Sequence, residues 1–522
     1  MYGEEEREAE MIKKRHYAFP MLPGENWWGG ASFDGVKMPF NEATHYERKL
    51  DPNGTMNQAA PLLLSDLGRY IWCDAGFDIS VDDGVITLYC SKGEPKLHEG
   101  FQTLRGAYLA ASSAHFPASG KRPPDEFFTA PQFNTWIEMT YFQEQKRIEK
   151  YADRLKAAGY HAGVFMIDCG WSPYYGKWQF DKAKFPDPKK LIDKLHAYGF
   201  KVMLWTCPFI TADTLEYRYL RDKGCLITDK YGNPAMLQWW DGFSAALDLT
   251  NPQAEEWYLA QNKKLMDEYG VDGFKMDAGD AWFYSEEHFT SKQADGNRHS
   301  ELWAELALHY EYNELRACWK CGNQPLVQRQ CDKLHRWGYN GVQALVPCAL
   351  AQGIIGSAYV CPDMIGGGDY LDFSLERMKN IDSELFVRYA QNAALMPMMQ
   401  FSAAPWRVLK KREREICLAM ATLHENFADK ILALAEESRQ TGEPIVRYLE
   451  YVFPHCGLAS CIDQFMLGTQ ILVAPVSEQG TVERKVVLPQ GKWKYVDGTV
   501  FEGGQTVYVP APIQTLPYFE RV

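Results

Sequence analysis

Several apolar stretches of this chain end on a charged side chain. GVFMID ends in Asp168, DGFKMD in Asp277, PLVQRQCD in Asp332 and AYVCPD in Asp363. ELRACWK carries Arg316, and PLVQRQCD also carries Arg329. One acidic strand end reads as the cap of the following helix. Several of them sharing a face with two guanidinium groups read as a carboxylate-rich pocket. Such a pocket suits glycosidic bond cleavage: one carboxylate attacks the anomeric carbon, and a second, protonated, gives its proton to the leaving oxygen and then activates water. The sequence shows no His-rich ligand cluster, and GGG at Gly366 to Gly368 lacks the Lys and Ser/Thr of a phosphate loop. The expectation is therefore a reaction with no metal and no cofactor.

Lys275 stands two residues before Asp277 and points the same way along a strand. A cation there favours the ionised form of Asp277; an ion pair with Asp280 or Asp248 is an equal reading. Trp240, in QWWDGF, reads either as a wall on which a sugar stacks or as packing for its own loop. Asp280 reads as an orienting group or a helix cap rather than a catalyst.

These residues share a face only if the strands do. From residue 133 onward apolar runs alternate with amphipathic ones. FNTWIEM precedes a helix around 145–158, GVFMID one around 188–198, and FKVMLWT follows directly. A helix around 252–269 leads to DGFKMD, one around 300–312 to ELRACWK, one around 342–352 to GSAYVCPD, and one near 375–391 to ALMPMMQFS. Continuous apolar runs are what strands buried on both faces look like. Eight such units predict an α/β (β/α)8 TIM barrel, whose strand ends all open on one mouth. Between ELRACWK and PLVQRQCD there is no room for a helix. The stretch 207–246 is too long for a simple connection and reads as an insertion at the mouth.

The flanks differ. Residues 1–130 are rich in Gly, Pro and Asp with short runs such as GRYIWCD, predicting an N-terminal β-sandwich; 131–440 is the barrel; 441–522, with ILVAPV and RKVVLPQGKWKYVDG, predicts a C-terminal β-sandwich. With 522 residues the chain is too long for one core. A net charge of −13 disfavours nucleic acid and anionic membranes as partners. Aromatic residues reach 14%, with 16 Trp, which suits large cores or sugar-stacking surfaces. Met1 to Tyr17 has no apolar segment of signal-peptide type and no membrane-length apolar run follows, so a cytoplasmic protein with reduced cysteines is expected. A small oligosaccharide or α-glycoside is the expected partner, and a homo-oligomer is compatible with the sequence.

FKMDAGD is similar to the nucleophile motif of glycoside hydrolase family 31. GVFMIDCGW, ALDLTNPQAEEWY, VCPDMIGGG, TGEPIVRYL and IDQFMLGTQILVAPV resemble further signatures of that family, so the likeness spans almost the whole chain. NWWGGASF, CPDMIGGG and FSAAPW resemble one branch of it, which holds bacterial α-galactosidases and the animal myogenesis-regulating glycosidase. The resemblance implies a retaining exo-α-glycosidase, α-galactosidase before α-glucosidase, α-xylosidase, sulfoquinovosidase or α-N-acetylgalactosaminidase; a non-catalytic sugar-binding relative is the rival. Asp277 matches the nucleophile. Asp332 matches the acid/base by its spacing to Trp337, although Arg329 stands where the family's W-S-G-D motif has Trp. Arg316 and Asp168 match substrate-contacting positions, and Asp363 the acidic end of the seventh strand. The family's His after the eighth strand is replaced by Ser402 and Trp406. The expected substrate-binding set is Asp168, Trp240, Lys275, Arg316, Arg329, Asp363 and Trp406.

Overall fold

The computed structural model describes residues 14–52, 54 and 56–522. Most of the segment read for a leader, Met1 to Tyr17, lies outside the described residues. No helix among the described residues is long and apolar enough to cross a membrane.

Eight parallel strands form the central barrel: β1 (Gln132–Asn134), β2 (Val164–Ile167), β3 (Lys201–Thr206), β4 (Gly273–Met276), β5 (Tyr312–Leu315), β6 (Gln328–Arg329), β7 (Val360–Cys361) and β8 (Gln400–Phe401). They pair in the order β7-β6-β5-β4-β3-β2-β1-β8. The ring is nearly closed: beyond β7, Ile365 N–H donates to Gln400 O of β8 at 2.9 Å. β2, β4 and β5 are buried in every residue, as strands covered on both faces must be. The helices between them carry their own start and stop signals. Pro188–Ala197 opens on Asp187, whose side chain accepts from Lys190 N, with Pro in its first turn. Pro252–Tyr269 opens on Asn251 and stops at Gly270, whose φ of 81° closes it in the left-handed region.

Two sequence expectations shift. FNTWIEM is only half strand: Asn134 Oδ1 accepts from Trp136 N at 2.8 Å, and this local turn starts a short helix, Trp136–Met139. ELRACWK begins its strand earlier than the apolar run suggests and leaves it before Arg316. As expected, no helix joins β5 to β6.

Ahead of the barrel lie two sheets. One is antiparallel and four-stranded, ordered Arg15–Pro20, Val85–Cys90, Asp78–Asp82, Tyr46–Arg48. Its hairpin turns at Asp83 and Gly84, both with positive φ, the geometry that matches strand twist. The other centres on Gln58–Ser65, buried along its whole length. This strand also pairs in parallel with Cys318–Trp319, just beyond β5, so the N-terminal sheet is continuous with the barrel's mouth. The region is not wholly β: Leu104–His115 is a helix capped by Thr103. Three of the five residues on its inner face, Leu104, Ala107, Tyr108, Ala111 and Ser112, are small and give weak apolar contrast. After the barrel, helices Lys411–Asn426 and Ala428–Thr441 lead to a six-stranded and a two-stranded sheet around Trp493, Phe519, Val486 and Val509.

Gln58 locks the N-terminal sheet to the barrel. Its Nε2 donates to Arg316 O at 2.9 Å and Arg329 O at 2.8 Å, and its Oε1 accepts from Gln352 Nε2 at 3.1 Å. Gln58→Leu strands these buried groups and should cost roughly 1–3 kcal/mol, read as a lower denaturant midpoint at unchanged slope.

Candidate active site

The strand ends of β2, β3, β4 and β6, with the loops that follow β1, β5 and β7, surround a cleft of about 390 Å³. Asp168, Trp240, Lys275, Asp277, Arg316, Arg329 and Asp332 all line it, together with Trp136, Tyr141, Cys169, Trp205, Gly368, Asp369 and Tyr370. The structure thus brings most of the predicted residues into one place.

Asp277 ends β4 and is 8% exposed. Its Oδ2 accepts from Trp205 Nε1 at 2.9 Å and its Oδ1 from Ala278 N at 3.1 Å, with Arg316 Nε 3.8 Å away. Burial alone would raise its pKa, but the charge of Lys275, then those of Arg316 and Arg329, and the Trp205 hydrogen bond outweigh it. The net result is a carboxylate held below its ordinary range. The chain turns sharply after it, with Ala278 at φ 59°.

Lys275 influences Asp277 through space, while its direct partner is Asp168, at 2.6 Å. Neither Asp280 nor Asp248 takes that place. Burial pulls the Lys275 ammonium down and Asp168 more than restores it, so it stays charged. Asp168 also accepts from Cys169 N at 2.8 Å. Arg316 is oriented by Asp280, through Nε at 3.0 Å and Nη2 at 3.3 Å, and Asp280 in turn accepts from Asn57 N at 2.8 Å. Above Arg316 lies Trp240, its ring centroid 4.9 Å from the guanidinium carbon. Trp240 is 43% exposed, so it offers a free face to the cleft.

Across the cleft, Arg329 Nη1 donates to Asp332 Oδ1 at 2.7 Å and to Asp363 Oδ1 at 3.1 Å. Asp332 keeps 38% of its side chain exposed, whereas Asp363 is buried. Asp363 Oδ2 accepts from Lys333 N at 2.6 Å and Gly368 N at 2.7 Å. Both its oxygens are therefore occupied by protein donors, and it stands behind the cleft. This corrects its assignment to sugar binding: Asp363 holds the loops that carry Asp332. Burial, and next the repulsion of Asp332, push the Asp363 carboxyl up to about 7.

Trp406 is also corrected. It opens a short helix, Pro405–Val408, that carries it away from the mouth, and it packs on Tyr151 at 5.6 Å in a separate hollow with Tyr160 and Leu418. Its neighbour Ser402 accepts from Ile137 N at 2.7 Å and fixes the loop after β1.

Four important residues went unread in the sequence. Trp205 lies inside FKVMLWT, where any aromatic reads as core. Glu314, on β5, is fully buried 3.5 Å from Arg329 Nε and accepts from Gln400 Nε2 at 2.7 Å. Its strand reads YNEL, with Asn313 beside it, so no apolar run marks the Glu as buried. Asn57 and Gln58 reach in from another sheet, which no local pattern foretells.

The family model "Glycosyl hydrolases family 31 TIM-barrel domain" matches residues 128–346, and "Glycosyl hydrolase family 31 C-terminal domain" matches 442–522. The chain belongs to glycoside hydrolase family 31. Among family relatives it is 31% identical over 407 residues to the myogenesis-regulating glycosidase of Mus musculus, covering 76% of this chain and 57% of that protein. It is 25% identical over 411 residues to α-xylosidase XylQ of Lactiplantibacillus pentosus, covering 74% of this chain and 51% of that one. The chain thus spans about half the length of these relatives. A solved family 31 α-xylosidase from a soil metagenome, complexed with xylose, has the same fold at TM-score 0.82 and 22% identity, covering 97% of this chain and 79% of that one.

Removing one member of the Lys275–Asp168 pair leaves the other charge buried and alone. Lys275→Met should cost roughly 3–5 kcal/mol of stability, and the double variant Lys275→Met/Asp168→Leu should recover part of it, both measured by urea denaturation.

Proposed function

We propose that the chain is a retaining exo-α-glycosidase with Asp277 as nucleophile and Asp332 as acid/base. The observation that carries the reading is the contrast between two carboxyl groups lining one cleft. Asp277 is kept ionised by Lys275, Arg316, Arg329 and the Trp205 N–H. Asp332 shares a single guanidinium with the buried Asp363, whose carboxyl is pushed up by burial and next by the charge of Asp332. Asp332 is the more exposed of the two and the one that lines the cleft, which suits it to pass a proton to the leaving oxygen. A carboxylate held ionised and a second, more exposed carboxyl lining the same cleft are the two groups that glycoside cleavage needs.

In the first step Asp277 bonds to the anomeric carbon while Asp332 transfers its proton to the departing oxygen. In the second, Asp332 takes a proton from water, whose oxygen displaces Asp277. Arg316 steadies Asp277 as its charge is consumed and restored. The Lys275-anchored Asp168 meets sugar hydroxyls, and Trp240 offers a stacking face.

Within this chemistry we propose α-galactosides as substrates, on the resemblance of NWWGGASF, CPDMIGGG and FSAAPW to the α-galactosidase branch. Aryl α-glycosides of the galacto, gluco, xylo and N-acetylgalacto series, with a sulfoquinovoside beside them, separate this sugar from its rivals. Turnover of the galacto compound should lead, and a lead by another sugar overturns the substrate while keeping the mechanism. Asp277→Asn should bring every rate to background, and an unchanged rate would sink the mechanism. Asp332→Ala should slow substrates with poor leaving groups roughly 10²–10⁴-fold yet spare activated aryl glycosides in the first step.

The pH profile gives a further check. Protonation of Asp277 sets the acid limb, and loss of the proton held by the Asp332–Asp363 pair sets the alkaline limb. In Asp363→Asn the carboxyl that burial and Asp332 push up to about 7 is gone, so the break of kcat/KM near that pH should disappear.

A further inference from the structure

The tip of the hairpin formed by Leu237–Trp239 and Gly242–Ala246 carries a carboxylate that none of the chemistry above uses. Asp241 Oδ1 accepts from Tyr141 Oη at 2.7 Å, and Asp241 Oδ2 accepts from Tyr175 Oη at 2.6 Å. Tyr141 lies in the loop after β1, Tyr175 in the loop after β2, and Asp241 in the insertion after β3. One carboxylate therefore joins three successive loops of the barrel's mouth. Charge-assisted bonds of this length are about twice as strong as neutral ones.

The clasp is packed as well as bonded. The Tyr175 ring meets Trp239 of the hairpin edge-on at 4.8 Å and lies 5.8 Å from Trp205, the residue that holds Asp277. Its hydroxyl is also 3.3 Å from Cys169 Sγ. Tyr141 packs edge-on against Trp136 at 5.2 Å. Burial raises both phenols, the carboxylate adds to this, and they remain protonated donors.

The hairpin is held at its base, where Ala245 and Ala246 pair with Phe209–Ile210 in a three-stranded sheet. It turns Leu237 and Trp239 inward and leaves Met236, Trp240 and Phe243 exposed. What that base does not hold is the tip, which the bonds to Asp241 pin, and Trp240, adjacent to Asp241, is the residue the tip delivers onto Arg316. We propose that Asp241 is a positioning residue: by clasping Tyr141 and Tyr175 it fixes the wall formed by Trp240 and Tyr141, and so sets which sugar the cleft accepts. The proposal rests on the glycosidase reading. Asp241 and Tyr175 do not line the cleft, so any effect they have on substrate choice passes through the residues they hold.

The test compares the full chain with Tyr175→Phe, Asp241→Asn and Asp241→Ala. Amide hydrogen exchange over residues 237–246 reads the clasp without reference to activity. Steady-state kinetics on the aryl α-glycoside panel read its consequence. Loss of the clasp in Asp241→Ala should speed exchange of the hairpin at least tenfold while the rest of the barrel is unchanged. KM for the preferred sugar should rise roughly tenfold with kcat within about threefold, and preference over the next sugar should shrink. Asp241→Asn, which can keep one acceptor, should fall between Ala and wild type, and Tyr175→Phe should shift selectivity although it touches no substrate. Unchanged hairpin exchange in Asp241→Ala, or faster exchange with selectivity intact, would overturn the proposal. If the wild type cleaves nothing in the panel, the glycosidase reading fails, and the exchange result alone upholds or overturns the clasp.

Discussion

Charge withdrawn from water must be repaid by other charge or by oriented dipoles, and the mouth of this barrel is organised by that requirement. Asp277 can sit nearly buried because Lys275, Arg316, Arg329 and the Trp205 N–H surround it. Each of those cations then needs an anion of its own. Lys275 takes Asp168, Arg316 takes Asp280, and Arg329 is shared among Glu314, Asp332 and Asp363. The carboxyls Asp168, Asp277, Asp280, Glu314, Asp332 and Asp363 outnumber the cations Lys275, Arg316 and Arg329. Such an imbalance favours keeping a proton within the network, and Asp363, buried beside Asp332, is a carboxyl whose pKa is pushed up.

The substitution of Arg329 for the Trp of the family's W-S-G-D motif takes its meaning from the same requirement. A Trp at that position offers one N–H. A guanidinium offers a fork of donors and a full charge. Here that fork grips both the exposed Asp332 and the buried Asp363, and its own Nε side faces Glu314. The departure adds a cation to the neighbourhood of Asp277 and an anchor to Asp332, so a motif that looks broken in text is filled in space.

What the sequence disclosed divides along the same line. Periodicity located the strands of the barrel, because burial on both faces leaves continuous apolar runs, and the charged strand ends marked the mouth. Asp277, Lys275, Arg316 and Asp332 were legible since each interrupts such a run. Trp205 was not, because an aromatic in an apolar strand looks the same whether it packs or donates a hydrogen bond. Asp363 is conspicuous in the sequence, but its role is not. Whether an acidic strand end faces the cleft or turns behind it depends on Lys333 N and Gly368 N, two amides from other loops. Trp406 was misplaced because the short helix Pro405–Val408 carries it into a separate hollow. The helix Leu104–His115 hid behind its small residues. The clasp of Asp241 joins residues up to 100 positions apart, and nothing local announces it.

The bonds from Asn57 and Gln58 carry a consequence for how such a protein is inherited. A strand of the N-terminal sheet, with Asn57 just before it, supplies the amide that holds Asp280 and the side chains that hold the carbonyls of Arg316 and Arg329. The barrel's mouth is therefore not a cassette that recombination can lift out and join to a new neighbour. A transplanted barrel would arrive with its orienting aspartate half-satisfied and two arginines loosely seated. Drift in the sheet at 58–65 is constrained by chemistry occurring in another layer of the fold, so the two regions must be passed on together or change together.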